Sequence, residues 1–295
     1  EMRLNIRSPA LKSLAEKDGN SLRQAVERRK LHTESFDGAW ERVLAMKNSD
    51  ADMRRLIEVK RAMEDGKIGR DPERAGRRFS KAEALDLYRV LEEIKRKERL
   101  DALVETMPDT YELVTDKERL DEVVRLLSEE SLVVFDVETT GTDVWSDLIV
   151  GHVLSATSAD RHFYIPTDHD ESTPQLDREY VAEKLRPLYE NENIGFIAHN
   201  AKFDLAMLRN NFDINVANLV WDTMEAQFLL NENEPSYALK PLATKYLEDK
   251  SHTYGELFGK SGFHEIPLKQ ALAYAAKDGD ITYRLYEFQK YHMKK

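Results

Sequence analysis

The sequence predicts an α/β fold, in which a mixed sheet flanked by helices is preceded by a small all-α domain. Residues 132–137 form a run of apolar, mostly β-branched residues broken by one acid, typical of a strand buried on both faces. Strand and helix patterns alternate from about Pro108 onward, whereas earlier apolar residues recur at helical spacing. Because 295 residues exceed one typical domain, we expect two domains, residues 1–105 and 106–295.

The predicted N-terminal domain contains helical periodicity but no pattern associated with chemistry. Its periodic stretches are residues 11–26, 40–46, 53–63 and 82–100; Ser80 and Glu83 resemble a capping box, and residues 66–72 resemble a turn. Basic clusters at 28–30, 77–78 and 95–97 can contact phosphates or an acidic partner, although solvated helix faces more often explain those at 28–30 and 95–97. We expect this domain to bind a replication partner, to clamp DNA or only to pack.

The predicted C-terminal domain alternates between strands and helices. The strands are residues 111–114, 131–137, 151–157, 162–165 and 194–199, and the second to fourth are expected to be neighbours. The helices are residues 117–127 after a Thr115-Asp116 cap, 178–189, a helix after Asn200, 221–230, 237–247 and 268–291. Three glycines predict a loop over residues 254–262.

Composition limits the class of protein. Hydrophobic residues make up 41% and charged residues 34%, as in soluble globular proteins. No membrane span and no secretory signal are expected, and the lack of cysteine excludes disulfides and thiolate metal sites, so we expect a reducing, cytoplasmic location. The start at Glu1 rather than Met favours a piece of a longer protein.

The net charge of −11 is unevenly distributed. Residues 1–100 carry 25 Lys and Arg against 19 Asp and Glu, or +6, and the remainder carries 19 against 36, or −17. Such an acidic domain binds nucleic acid poorly unless part of its negative charge holds metal or another region supplies basic surface.

Two acids, Asp136 and Glu138, lie at the end of the buried strand. Alternate strand residues project from the same face, so both carboxylates point together. Charges this close repel unless a cation lies between them, which favours a divalent metal, although acid pairs in solvated turns are also common. Thr139, Thr140 and Gly141 then end the strand and let the backbone approach a ligand.

Two more polar pairs follow at four-residue spacing. Asn200 can cap the helix that follows it, and Asp204 lies on the same face of that helix. Tyr274 and Asp278 share a face of the C-terminal helix. Taken singly, a helix cap and a favourable charge at a helix N-terminus explain Asn200 and Asp204 equally well.

The three pairs together indicate more than any one of them. Four carboxylates with a phenol suit two hard cations in an all-oxygen site, and Mg²⁺ or Mn²⁺ fits better than zinc. Such a site supports in-line phosphodiester hydrolysis.

Residues from about 109 to 292 resemble the 3′–5′ proofreading exonuclease domain of family A, or DNA polymerase I-like, DNA polymerases, a branch of the DEDD exonucleases. The resemblance includes the acid pairs and segments at 111–115, 164–166, 221–224, 239–243, 257–260, 266–268 and 280–282. It implies a ribonuclease H-like fold.

The resemblance also implies roles for individual residues. It assigns metal binding to the four carboxylates, which are Asp136, Glu138, Asp204 and Asp278, with Asp136 bridging both ions. Tyr274 matches the tyrosine that orients the attacking water, and Ala273 stands where the histidine subtype has its histidine. These matches favour the tyrosine subtype.

Substrate contacts are implied for four more residues. Asn200 matches an amide that supports the metal site and the substrate phosphate, and Thr139 follows the two strand acids. Thr142 and Tyr254 match positions that wedge against or stack on terminal bases, although Thr142 is smaller than an aliphatic wedge and Tyr254 is explained equally by core packing. Lys240 and Lys260 can contact phosphate, although a solvated lysine explains each more often.

The implied activity is removal of nucleoside 5′-monophosphates from single-stranded or frayed DNA 3′ ends, with two Mg²⁺ or Mn²⁺ ions. A polymerase domain is expected in the same full-length chain, and the helical N-terminal extension favours a phage-type protein. Two alternatives stay open: a ribonuclease D-like or repair exonuclease acting on RNA or damaged ends, and a catalytically inactive DNA-binding or scaffold module.

Overall fold

The computed structural model describes residues 43–44, 49–65 and 81–294. Several predictions therefore lie outside the described residues: the helix at 11–26, most of the helix at 40–46, the turn at 66–72, the cap at Ser80 and the basic clusters at 28–30 and 77–78. The chain divides into two compact units, residues 1–95 and 96–295. This division falls ten residues before the boundary expected from the sequence.

The first unit contains helix α1 (Asp50–Glu64) and most of helix α2 (Lys81–Glu105). The Ser49 side chain caps α1 by accepting a hydrogen bond of 3.2 Å from the N–H of Asp52. Buried Leu56, Val59 and Leu91 belong to a small apolar core. The periodicity at 53–63 and 82–100 thus predicted both helices correctly.

The second unit is built on one mixed sheet of six strands. They are β1 (Tyr111–Leu113), β2 (Leu132–Thr139), β3 (Ile149–Ala156), β4 (Arg161–Pro166), β5 (Gly195–Ala198) and β6 (Leu219–Asp222), in the order β1-β4-β3-β2-β5-β6. β2 pairs antiparallel with β3, which pairs antiparallel with β4, and β5 lies parallel to β2 on its other side. The predicted antiparallel ribbon beside the acid-bearing strand is confirmed.

Three helices pack on one face of the sheet: α3 (Lys117–Ser128), α4 (Arg178–Tyr189) and α5 (Ala201–Phe212). The side chain of Asp116 caps α3, as predicted, by accepting from the N–H of Arg119 at 2.8 Å. From β2, Val133, Phe135 and Val137 enter this large core. Because side chains alternate along a strand, the residues between them face the opposite side.

The opposite face is covered by the remaining elements, of which the long C-terminal helix is the largest. They are α6 (Thr223–Leu230), α7 (Leu239–Tyr246), α8 (Tyr254–Phe258), a short 3-10 helix (Phe263–Glu265) and α9 (Leu268–Met293). Buried Val150, Val153 and Tyr164 of the sheet share a core cluster with Ala271 and Ala275 of α9. The sheet therefore lies between two helical layers.

Gly279 lets α9 approach the sheet closely. A Cβ at this position would lie 2.7 Å from Ser155 Oγ and 3.2 Å from Val153 Cγ1. Any larger residue would push the helix away from β3. This close packing fixes the height at which Tyr274 and Asp278 stand above the sheet.

Two local predictions were wrong. Trp221 and Asp222 end strand β6 rather than opening a helix, which begins at Thr223. The four residues of β6 are too few to show a strand period, and pairing with β5 decides their conformation. Residues 254–258 form helix α8 rather than loop, since Glu256 and Thr253 form a capping box that offsets the nearby glycines. Within the described part of the chain, no helix is both long and apolar enough to cross a membrane.

Candidate active site

The carboxylates of Asp136 and Glu138 project from β2 toward α9. Each is only partly exposed, whereas Val133, Phe135 and Val137 between and before them are buried in the opposite core. Burial raises the pKa of Asp136, and burial followed by the charge of Asp136 raises that of Glu138 well above its ordinary value. Both acids thus occupy one face of the strand, at its carboxyl end.

Asp204, on the first turn of α5, meets the same strand. It is 2% exposed, and its Oδ1 accepts a hydrogen bond of 3.3 Å from the N–H of Val137. Its carboxyl group is also in hydrogen-bond contact with that of Asp136. Burial and then the charge of Asp136 raise the pKa of Asp204 well above its ordinary value, so without a cation this carboxyl group favours its protonated form.

Tyr274 and Asp278 approach from α9, one helical turn apart. The ring of Tyr274 packs at 5.5 Å from Phe258 and 5.9 Å from Tyr254, measured between ring centroids. Burial, then the charges of Glu138 and Asp136, raise the pKa of Tyr274 far above the range of ordinary buffers. The hydroxyl therefore keeps its proton and is able to donate a hydrogen bond.

Lys240 of α7 lies at the candidate site, and its surroundings differ from those expected from the sequence. It is 7% exposed rather than solvated, its Nζ contacts Asp278 Oδ1, and it lies 4.8 Å from the ring centroid of Tyr274. Burial lowers its pKa to about 7, against the opposing effect of Glu138 and Asp136. The signal available in the sequence was apolar Ala243, three residues on and on the same helix face, which the structure buries. Lys260 is exposed, as expected.

Asn200 does not cap α5 with its side chain, so this prediction is corrected. It stands at the N-cap position in the left-handed region, with φ 64° and ψ 44°, and its side chain makes no capping hydrogen bond. Asp222 of β6 instead accepts from the N–H groups of Asn200 at 3.0 Å and Ala201 at 2.7 Å. The Asp222 carboxylate from the neighbouring strand thus holds the turn that presents Asp204. In the sequence, the only signal for this role of Asp222 was an acid placed between a strand and a helix.

The candidate base-contacting residues differ in their surroundings. Thr139 Oγ1 donates to the carbonyl of Gly141 at 2.6 Å, and Thr142 is exposed in the next turn. Tyr254 is half-buried, its hydroxyl donates to the carbonyl of Ser261 at 2.6 Å, and its ring lies edge-on to Tyr274. Tyr254 is therefore adjacent to the site, whereas no contact among the described residues connects Thr142 with it.

The arrangement brings four carboxylates from three elements toward one cleft. They are Asp136, Glu138, Asp204 and Asp278. As they stand, the described residues contain no group of three or more His, Asp or Glu close enough to hold a metal ion. The all-oxygen donors, with the raised pKa values of Asp136, Glu138 and Asp204, nevertheless fit a hard divalent cation, and the ammonium of Lys240 already pairs with Asp278.

Comparison with known proteins defines the class. A family model described as 3′-5′ exonuclease, of the family A DNA polymerase group, matches residues 111–290. The match covers more than half of the chain, and the chain belongs to this 3′–5′ exonuclease family. The resemblance stated from the sequence is thereby confirmed.

Individual relatives agree with the family. DNA polymerase I of Pseudomonas aeruginosa is 32% identical over 184 residues, which cover 60% of this chain and 20% of that protein. A DNA polymerase of Bacillus phage SP01 is 29% identical over 207 residues, covering 61% and 22%. The chain thus spans about a fifth of the length of these relatives.

The fold is also found in solved structures. The EXO domain of Aedes aegypti Nibbler superposes with a TM-score of 0.51 at 15% identity, covering 64% of this chain and 91% of that chain. At this identity the likeness concerns the fold alone. The second unit has the predicted ribonuclease H-like fold.

Proposed function

We propose that this chain is a divalent-metal-dependent 3′–5′ exonuclease that removes nucleoside 5′-monophosphates from single-stranded or frayed DNA ends. The family assignment supports the reaction class, and relatives named DNA polymerase I support a DNA substrate. On the same grounds, we propose that it is the proofreading part of a family A polymerase, whose polymerase domain lies in the same full-length chain. We also propose a cytoplasmic location.

One observation carries the proposal. Asp136 of β2 contacts Asp204 of α5 beneath α9, whose Asp278 and Tyr274 stand above the same strand end. These groups come from distant parts of the chain, and keeping several half-buried acids together costs stability unless a ligand uses them. A catalytic role accounts for that cost.

The roles of the residues follow from their chemistry. Asp136, Glu138, Asp204 and Asp278 would hold two Mg²⁺ or Mn²⁺ ions, and such ions supply activated water and stabilise the leaving 3′-oxygen. Tyr274 stays protonated and can orient water or a phosphate oxygen through its hydroxyl.

Four further residues are proposed to contact the substrate. Asn200 and Thr139 flank the carboxylates, so they would contact the terminal phosphate or sugar, and the Tyr254 ring offers a surface for a terminal base. Thr142, in the exposed turn, would contact the next base.

The test follows shortening of one oligonucleotide labelled at its 5′ end. With Mg²⁺, the label should pass through a ladder of successively shorter strands, and chelator should stop the reaction. The same oligonucleotide labelled at its 3′ end should release labelled mononucleotide at once. Loss of label as a mononucleotide from the 5′ end would refute the polarity.

Matched variants distinguish hydrolysis at the candidate site from hydrolysis by a contaminating nuclease. Asp204→Asn or Asp136→Ala should abolish hydrolysis and leave the fold intact, whereas Asp109→Asn, an exposed acid, should behave as wild type. An RNA strand of the same sequence tests the alternative. Faster cleavage of RNA than of DNA would assign the chain to a ribonuclease D-like activity, and cleavage of neither would leave an inactive binding module.

A further inference from the structure

An open cavity of about 280 Å³ adjoins the candidate site within the unit of residues 96–295. Its walls come from the end of α2, from the segment after α7 and from α9. Tyr274 and Lys240 line it as well, so the cavity is continuous with the cleft of the carboxylates. Its volume is close to the lower limit of small-ligand sites, enough for about one nucleotide unit.

The charged groups of the cavity are mostly basic, in a chain with a net charge of −11. Arg99, Lys240, Lys250 and Lys277 line it, against the single carboxylate of Asp249. The pocket is therefore a local positive region beside an acidic cleft.

Two of these cations have carboxylate partners. Lys277 Nζ lies 2.7 Å from Asp249 Oδ2, which Arg284 also contacts at 2.8 Å, and these cations hold the pKa of Asp249 below its usual range. Lys240 pairs with Asp278. The carboxylate of Asp249 is thus already neutralised by cations of the protein.

The other two are available to a ligand. Arg99 donates to the backbone carbonyl of Glu256 at 3.3 Å and lies near enough to the Glu256 carboxylate to interact with it electrostatically, but it forms no ion pair with a described residue. Lys250 is exposed and forms no ion pair with any described residue. The family match begins at residue 111, so Arg99 lies outside the segment shared with the family.

We propose that this pocket binds a backbone phosphate of the single strand on the 5′ side of the nucleotide being removed, through Arg99 and Lys250. The inference rests on the proposed exonuclease function and assigns a second, metal-independent anchor to the same substrate. Phosphate contacts of this kind position a strand without reading its sequence. The residues before the family segment thereby become part of substrate binding.

The test measures binding of a 5′-fluorescein oligo(dT) to the full chain by fluorescence anisotropy, in chelator and at low salt. The double variant Arg99→Ala with Lys250→Ala should weaken binding about tenfold and reduce the slope of log affinity against log salt by about 0.7, since the contact with one phosphate is lost. The control Lys97→Ala with Lys260→Ala removes the same charge from exposed positions outside the pocket, and should leave both quantities nearly unchanged.

A kinetic measurement distinguishes a role of the pocket in substrate binding from a role in the chemical step. With Mg²⁺, the pocket variant should have a raised KM and an unchanged kcat for a long strand. Its cleavage of a dinucleotide, which is too short to reach the pocket, should equal that of the wild type. Cleavage with no difference between the two double variants would overturn the inference and leave the exonuclease proposal standing. Competition by thymidine monophosphate as strong as by the oligonucleotide would also overturn it, in favour of a mononucleotide site.

Discussion

Replacing Asp222 with Ala should destabilise the second unit strongly, although Asp222 contacts no substrate in the proposal. Its carboxylate accepts from the N–H groups of Asn200 at 3.0 Å, Ala201 at 2.7 Å and Met224 at 2.8 Å. It therefore caps α6 and holds the start of α5 at the same time.

The magnitude follows from these three hydrogen bonds. Loss of the N-cap of α6 costs about 1 kcal/mol. The two bonds to the turn before α5 add about 1 kcal/mol each for a partly exposed carboxylate. The total of about 3 kcal/mol corresponds to a lowering of Tm by about 6 to 12 °C in a unit of this size.

Urea unfolding followed by circular dichroism measures the change as a shift in midpoint at constant m-value. Asp222→Asn keeps one acceptor oxygen and should lose about half as much. Asp177→Ala is the matched control, because Asp177 caps α4 through a single hydrogen bond of 2.9 Å to Tyr180. Equal losses for Asp222→Ala and Asp177→Ala would refute the claim that Asp222 supports two helices.

Three other predictions concern the site and the core. Tyr274→Phe should lower turnover about 100-fold while Mg²⁺ binding by calorimetry is unchanged, and undiminished turnover would remove the hydroxyl from the mechanism. Lys240→Met should increase Mg²⁺ affinity at least about threefold, since a competing cation is lost, whereas exposed Lys260→Met should not. Burial lowers the pKa of His152 to about 3, so below pH 6.5 the unfolded chain binds more protons than the folded chain. The free energy of unfolding therefore decreases as the pH decreases. His152→Phe should remove about 2 kcal/mol of the loss of unfolding free energy between pH 7 and pH 5, and an unchanged loss in urea titrations would contradict the assignment.

The long elements were predictable from local patterns. The run before Asp136 is apolar on both faces because β2 is central in the sheet, and Asp116 caps α3 as its position before a helical pattern indicated. Strand β6 was missed because its conformation depends on pairing with β5 rather than on its own period. The capping box of α8 was overlooked because three glycines nearby favoured a loop.

The candidate site shows the same division. The identity and spacing of the carboxylates and Tyr274 were visible in the sequence, since periodicity fixes which side chains share a face of one element. The hydrogen-bond and ion-pair partners of these groups were not visible in the sequence. Lys240 was interpreted as solvated, and Asn200 as a side-chain cap, because burial and hydrogen bonding depend on elements that arrive from elsewhere in the chain.

The sequence by itself determined the chemical groups, the order of the elements and the family, because these depend on residue type and local period. Only the tertiary structure decided that Asp222 holds the turn before Asp204, that a buried lysine pairs with Asp278, and that a basic pocket opens beside Tyr274. The physical reason is that each of these features is a contact between segments far apart along the chain. Local propensity carries no information about such contacts until the sheet and α9 have brought the segments together.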